Sequence, residues 1–100
     1  MQAPYHRCVS KTRYTQADHV FREFLKEIRT AKGLTQADVA KRLGQPQSYV
    51  SKYESGERRL DFVETILVSE TLGMSIPEFA AAYSAKLTKL HLSEGRQKNE

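Results

Sequence analysis

Apolar residues recur along this chain at the three- and four-residue spacing that is typical of amphipathic helices. They do so in five stretches, and none shows the alternation of apolar and polar residues that marks a strand. The first stretch begins near Thr15, which has the spacing of a capping box with Asp18, and it ends at Gly33. The pattern therefore predicts an all-α fold, a bundle of five helices.

The second and third predicted helices are short and are separated by a glycine. The second opens with Thr35 as its N-cap and Asp38 as the partner in a capping box, and it ends at Gly44. The third starts at Pro46, which suits the first helical position because proline has no amide hydrogen to satisfy. It ends at Gly56, so two helices joined by a tight turn are expected.

The third helix carries few core candidates, and only Val50 and Tyr53 clearly qualify. The rest of its surface consists of side chains that can form hydrogen bonds: Gln47, Ser48, Tyr49, Ser51 and Lys52. A helix with this surface is suited to presenting hydrogen-bonding groups to a partner. The alternative is that these side chains only keep an exposed face hydrated.

The last two predicted helices also begin with capping boxes, Asp61 with Glu64 and Ser75 with Glu78. The helical spacing predicts which residues of the fourth helix are buried: Phe62, Val63, Ile66, Leu67 and Leu72.

Charge is distributed unevenly, although the net charge is only +4. Residues 1–16 carry three bases and no acid, and residues 41–59 carry five bases and two acids, so each segment has a charge of +3. Residues 60–80 carry four acids and no base, a charge of −4. One face of such a molecule suits an anion, with random scatter over a hydrated surface as the alternative.

Several classes of protein are disfavoured by what the sequence contains. The single cysteine, Cys8, allows no disulfide within the chain, and no apolar run approaches the roughly 20 residues of a membrane span. We therefore expect a cytoplasmic protein. His6, Cys8 and His19 lack a fourth ligand at a recognised spacing, so we expect no metal site. Without a nucleophile arrangement or a phosphate-binding glycine loop, we expect neither an enzyme nor a cofactor.

Residues 36–55 meet the requirements of a helix-turn-helix unit. Ala40 is small where the two helices cross, Gly44 occupies the turn, and Val50 is apolar toward the core. Residues 25–79 resemble the XRE family of Cro and lambda-repressor-like regulators, especially in the segment SYVSKYESGERRLD. The resemblance implies a five-helix lambda-repressor-like DNA-binding domain.

The resemblance also implies roles for individual residues. Residues 46–54 would enter the DNA major groove, with Gln47 as the main base-reading side chain. Gln36 would bind a phosphate and brace Gln47, while Arg29 and Glu54 would form a structural salt bridge between the first and third helices. The remaining assignments are base reading for Ser48, Tyr49, Ser51 and Lys52, and phosphate binding for Thr35, Arg58 and Arg59. A merely hydrated loop is the alternative for the two arginines.

We expect a sequence-specific, double-stranded DNA-binding transcriptional regulator, most simply a repressor, that binds a palindromic operator as a homodimer. The apolar stripe of the fifth helix extends through Tyr83, Leu87 and Leu90, further than a compact domain needs, and is the expected dimer contact. The alternative is that these residues pack on the first helix. The second candidate function is an antitoxin, or a protein-binding adaptor with the same fold, whose partner would be a toxin or another regulator.

Three parts are expected along the chain. Residues 1–15 form a flexible basic arm that could reach DNA, and residues 16–83 form the helix-turn-helix DNA-binding domain. Residues 84–100 form a C-terminal helical extension and a polar tail, which is expected to fray after Leu92.

Overall fold

The computed structural model describes residues 11–98, and it describes the side chains of residues 15–90. Five helices make up this part of the chain: α1 (Lys11–Ala31), α2 (Gln36–Leu43), α3 (Gln47–Ser55), α4 (Phe62–Thr71) and α5 (Ile76–Lys98). No strand occurs within the described residues, so the predicted all-α fold is confirmed. Most of the expected basic arm, with His6 and Cys8, lies outside the described residues.

Capping boxes begin α2, α4 and α5, as the sequence predicts. At α2 the Thr35 hydroxyl accepts the Asp38 amide at 3.0 Å, and the Asp38 carboxylate accepts the Thr35 amide at 2.8 Å. At α4 the same two bonds join Asp61 and Glu64 at 2.8 and 2.9 Å. The pair at α5 is arranged similarly, at 3.0 and 3.3 Å. Each box satisfies amides that have no partner inside the helix.

The core lies between α1 and the four helices that follow it. Its buried apolar residues are Leu25, Val39, Ala40, Val50, Tyr53, Val68, Leu72 and Phe79. Aromatic rings join α1 to α5, because Phe24 stacks on Phe79 with 5.2 Å between ring centroids and Phe21 meets Phe79 edge-on at 5.9 Å. The two core candidates that the sequence predicts in α3, Val50 and Tyr53, are buried, as are Val39 and Ala40 of α2, and this packing fixes the α2–α3 unit against the rest of the fold.

Two helices are longer than predicted. α1 begins at Lys11, so Thr15 lies inside the helix and cannot cap it, and the Asp18 carboxylate accepts the Arg22 guanidinium at 3.0 Å instead. Residues 11–15 contain neither glycine nor proline, and nothing there stops a helix from extending. α5 continues past Leu92 to Lys98, because Gly95 alone does not end it. No helix in residues 11–98 is long and apolar enough to cross a membrane.

α4 is rotated relative to the prediction. Three of its predicted core residues are exposed instead: Phe62 by 70%, Val63 by 63% and Leu67 by 52%. The side that faces the core includes Thr65 and Ser69, which are buried. The Thr65 hydroxyl donates to the Asp61 carbonyl at 2.7 Å and the Ser69 hydroxyl to the Ile66 carbonyl at 3.0 Å. Because these hydroxyls are satisfied inside the helix, they can be buried without an unpaired polar group.

α5 packs along α1 through one of its predicted dimer residues. The Tyr83 ring lies 5.6 Å from the Phe21 ring, edge to face, and the Tyr83 hydroxyl donates to the Ala17 carbonyl at 2.7 Å. Further along, the Lys86 ammonium lies 3.4 Å from the Glu27 carboxylate and 4.9 Å from the centroid of the Phe24 ring. The ring and the hydroxyl of Tyr83 are therefore both engaged in contacts within the chain.

Candidate nucleic-acid interface

The turn between α2 and α3 determines how α3 is presented. Gly44 ends α2 with φ 70° and ψ 32°, a left-handed conformation that an L residue adopts only with strain. The Gln45 amide donates to the Ala40 carbonyl at 2.9 Å. Pro46 is the N-cap of α3 with φ −70°, so the helix begins at Gln47, one residue later than predicted. Gln47 thus stands in the exposed first turn of α3.

A buried ion pair connects α1 to the end of α3. The Arg29 Nε atom lies 2.7 Å from Glu54 Oε2, and a second guanidinium nitrogen lies 3.0 Å from Glu54 Oε1. Both residues are 8% exposed, and Arg29 also donates to the Leu34 carbonyl at 2.9 Å. The hydrogen bonds to Glu54 raise the pKa of Arg29 above its ordinary value. The structure thus brings together the two residues of the predicted salt bridge.

A chain of hydrogen bonds leads from this ion pair to the protein surface. The Gln36 side-chain nitrogen donates to Glu54 Oε1 at 2.9 Å, and the Gln47 side-chain nitrogen donates to Gln36 Oε1 at 3.1 Å. The direction of the chain follows from Glu54, because a carboxylate can only accept. Gln36 must therefore turn its nitrogen inward and its oxygen toward Gln47. Gln47 keeps its own carbonyl oxygen and one amide hydrogen for a partner outside the protein.

The other predicted base-reading residues lie on two sides of α3. Ser48 and Lys52 are exposed and Ser51 is half-buried, beside Gln47 on the outward surface of the helix. Tyr49 lies at the edge of that surface, with its ring 5.8 Å from the Tyr53 ring and the Arg58 guanidinium 4.8 Å from its centroid. Burial raises the pKa of the Tyr49 hydroxyl above its ordinary value. Tyr49 is more constrained than its neighbours.

The predicted phosphate-binding residues border this surface. The Thr35 hydroxyl oxygen is occupied by the Asp38 amide, but its hydrogen can still be donated outward. Arg58 is paired with the Glu64 carboxylate, so part of its charge is balanced within the chain. Arg59 is exposed on the same loop. These residues lie at the two ends of the α2–α3 unit, where backbone phosphates would flank a helix in the major groove.

Arg22 supports α3 in a way that the sequence reasoning missed. Its guanidinium donates to the Glu54 carbonyl at 3.3 Å, in the last turn of α3, while Asp18 holds its other side. A Cβ atom added to Gly56 would lie only 3.1 Å from the Arg22 guanidinium carbon, so the glycine leaves room for this contact. The four-residue spacing of Asp18 and Arg22 indicates a helical ion pair, but it carries no sign of the contact with α3.

The predicted dimer residues of α5 do not form one free surface. Tyr83 packs on α1, whereas Leu87 and Leu90 are half-buried. Leu90 lines an open groove of about 490 Å³ between α1 and α5, together with Val20, Phe24 and Lys86. For Tyr83 the structure agrees with the alternative of packing on the first helix. The dimer contact itself stays a prediction.

Comparison with known proteins matches the same residues that resemble the XRE family in the sequence. A family model described as helix-turn-helix matches residues 25–79. A solved structure of an XRE-family like protein from Pseudomonas syringae pv. tomato str. DC3000 is 37% identical and covers 81% of this chain and 94% of its own, with a TM-score of 0.69. No curated protein matches the chain at a significant level.

Proposed function

The chain belongs to the XRE family of helix-turn-helix DNA-binding regulators, and from this premise we propose that it recognises a specific DNA sequence through α3. In this proposal α3 lies in the major groove, and Gln47 is the main base-reading residue. The protein acts as a transcriptional repressor, since occupation of an operator is the simplest action that such a domain can perform.

The observation that carries the proposal is the fixed orientation of Gln47. Its side chain is exposed, yet Gln36 holds its amide in one orientation. The free carbonyl oxygen can accept from the N6 amine of adenine while the free amide hydrogen donates to N7, which is the pairing that distinguishes adenine in the major groove. A side chain that only hydrates a surface has no need of a brace that reaches back to a buried ion pair.

The surrounding residues have supporting roles in this proposal. Ser48, Ser51 and Lys52 contact neighbouring base edges, and Tyr49 contacts a sugar or a thymine methyl group from the edge of the helix. Thr35, Gln36, Arg58 and Arg59 bind phosphates on either side. For Arg58 the contact requires a phosphate to share or replace the Glu64 carboxylate that the side chain holds in the free protein.

A dimer on a palindromic site is part of the proposal, because one short helix offers few base contacts. Two copies of α3 placed about 34 Å apart, one turn of DNA, would read two half-sites on the same face of the duplex. Selection of bound sites from random duplex DNA tests this directly. The expected product is an inverted repeat with a one-turn spacing, and recovery of unrelated sequences would remove specific recognition.

Single substitutions then separate base reading from phosphate binding. Gln47→Ala is expected to weaken binding to the selected site by about 1–3 kcal/mol and to leave binding to random DNA unchanged. Arg59→Ala is expected to weaken both alike and to reduce the salt dependence of binding by about one ion. Gln45→Ala removes an exposed glutamine just before α3, and this control should change affinity by less than about two-fold. Equal losses for Gln47→Ala on both DNAs would refute base reading.

A further inference from the structure

Two side chains of this chain hold Arg58 at the edge of α3. The Arg58 guanidinium lies 4.8 Å from the centroid of the Tyr49 ring, on α3, and it pairs with the Glu64 carboxylate, in the first turn of α4. A guanidinium is attracted both to the face of an aromatic ring and to a carboxylate. The side chain that we assign to a backbone phosphate is therefore already bound to an acid in the free protein.

The two carboxylate oxygens of Glu64 have separate partners. Oε1 accepts the Asp61 amide at 2.9 Å and completes the capping box of α4, whereas Oε2 accepts from Arg58. Glutamine can make the capping bond as glutamate does. If its oxygen stays on the cap, however, it presents its amide nitrogen to Arg58, and both groups are donors. A carboxylate at position 64 is thus required for the contact with Arg58 but not for the start of the helix.

The ion pair lies where a phosphate can reach it. The side chains of Arg58 and Glu64 are 42% and 25% exposed, so no part of the fold has to open before an anion touches the guanidinium. Water screens ion pairs with this exposure, and they contribute little to the stability of a fold. The pair is therefore weak enough for a phosphate to displace, yet the carboxylate is close enough to oppose the phosphate.

We propose that Glu64 limits the affinity of this protein for DNA by competing with a backbone phosphate for the Arg58 guanidinium. The guanidinium has several N–H donors and can contact two anions, but a carboxylate and a phosphate at the same guanidinium repel each other. Binding of DNA must therefore either break the ion pair or overcome this repulsion. In both cases Arg58 contributes less to DNA binding than an arginine without an acid beside it.

The role of Glu64 rests on the proposed function for one point, which is that Arg58 faces a phosphate when DNA is bound. Phosphate contacts carry no sequence information directly, so Glu64 would lower the affinity for every DNA sequence alike. The protein would then leave random DNA more readily, while the discrimination between sequences stays with α3.

Glu64→Gln isolates the competition, because it keeps the capping bond and removes the anion. Fluorescence anisotropy on a labelled duplex of random sequence, titrated at several salt concentrations, measures the affinity and its salt dependence. The variant is expected to bind about two- to five-fold more tightly than the wild type, the range that corresponds to the loss of one exposed ion pair. The salt dependence should rise by up to about one ion, since Arg58 becomes a full phosphate contact.

Two controls separate this competition from a change in net charge. Glu78→Gln makes the same change at the same position of the α5 capping box, where the Glu78 carboxylate accepts the Ser75 amide at 3.0 Å. It should change the affinity by less than about 1.5-fold, because salt screens exposed charges that are not in contact. In an Arg58→Ala background Glu64→Gln should lose most of its effect, because no guanidinium is left to release. Urea unfolding followed by circular dichroism checks that each variant is folded.

The direction of the change decides the role of Glu64. Weaker binding by Glu64→Gln overturns the proposal, because Glu64 would then position Arg58 for the phosphate rather than compete with it. Unchanged binding overturns it as well. An equal gain for Glu78→Gln, or an undiminished gain in the Arg58→Ala background, also overturns it, since net charge would then explain the effect.

These outcomes are distinct from those that decide the proposed function. Glu64→Gln is measured on random DNA, whereas specific recognition is decided by the selection of bound sites. A chain that gains affinity for random DNA with Glu64→Gln but selects no site would lose the proposed function and keep this role for Glu64. A chain that selects a site but gains no affinity with Glu64→Gln would do the reverse.

Discussion

Glu54→Gln is the substitution that tests most sharply how α3 is held. The change converts one carboxylate oxygen to an amide nitrogen and leaves the size of the side chain unaltered. Glu54 accepts two hydrogen bonds from Arg29 and one from Gln36, so all its partners are donors. A glutamine can keep at most two of these bonds, because its nitrogen must point toward a donor in either orientation. The Arg29 charge also loses its counterion.

The expected loss of stability is about 2–4 kcal/mol. A hydrogen bond to a charged group contributes about 1.5–3 kcal/mol, and removing one partner of a buried ion pair costs about 3–5 kcal/mol. The substitution removes one bond and the charge but keeps the shape, so its effect lies below the full loss. Solvent does not screen the pair, since the two side chains are 10% and 5% exposed. For a small domain with a total stability of roughly 5–15 kcal/mol, this is a large fraction.

Urea unfolding followed by circular dichroism, at one protein concentration, measures the loss. Glu27→Gln is the matched control because it makes the same chemical change in an ion pair with Lys86 whose side chains are 61% and 39% exposed. That variant should lose less than about 0.5 kcal/mol. If the two variants lose similar amounts, the buried pair does not hold α3 to α1, and the hydrogen-bond chain that starts from it does not fix the position of Gln47.

Four further substitutions have expected outcomes. Gln36→Ala should weaken binding to the preferred DNA by roughly 1–2 kcal/mol, since Gln47, the proposed base-reading residue, loses its brace. Binding to random DNA should change less in a parallel fluorescence anisotropy titration. Gly44→Ala should destabilise the fold by about 1–2 kcal/mol, because alanine is strained at the positive φ of this position. The cost is limited to this strain, since no atom lies within 4 Å of the added Cβ. Gly56→Ala should cost more in parallel urea melts, because it also displaces Arg22. The capping bonds from Thr35 lower the pKa of Asp38, so their stabilisation is present at neutral pH and lost as the pH falls through that lowered pKa. The melting temperatures of the wild type and Asp38→Asn should therefore converge in acid; a constant gap would contradict this.

Features that depend only on residues close together in the sequence were predictable. The capping boxes of α2, α4 and α5 require only two residues at a spacing of three, and the positive φ of Gly44 is required by the turn itself. The residues of the hydrogen-bond chain were predictable only through the family resemblance. Arg29 and Glu54 are far apart in sequence, and no local pattern indicates that they meet.

Which side of α4 faces the core was not predictable from the sequence. The prediction of its buried residues was wrong for Phe62, Val63 and Leu67, which are exposed. The helix is short and its apolar residues lie on several sides, so its pattern is compatible with more than one orientation. The orientation was settled by Thr65 and Ser69, whose hydroxyls are satisfied by carbonyls of their own helix. A pattern based on hydrophobicity assigns such residues to the surface.

If DNA is read through Gln47 as proposed, the direction of the hydrogen bonds at α3 also restricts how the sequence preference can change. Because Glu54 accepts a hydrogen bond from the side-chain nitrogen of Gln36, the side chain at position 47 always meets the side-chain oxygen of Gln36. Asparagine, arginine or lysine at that position could still donate to it, but aspartate or glutamate would bring oxygen against oxygen. Those two acids are the side chains that accept from the amine of cytosine. In the proposed mode of recognition, the buried ion pair thus limits which operators could be reached by one substitution, and reading cytosine at position 47 would require residue 36 to change first.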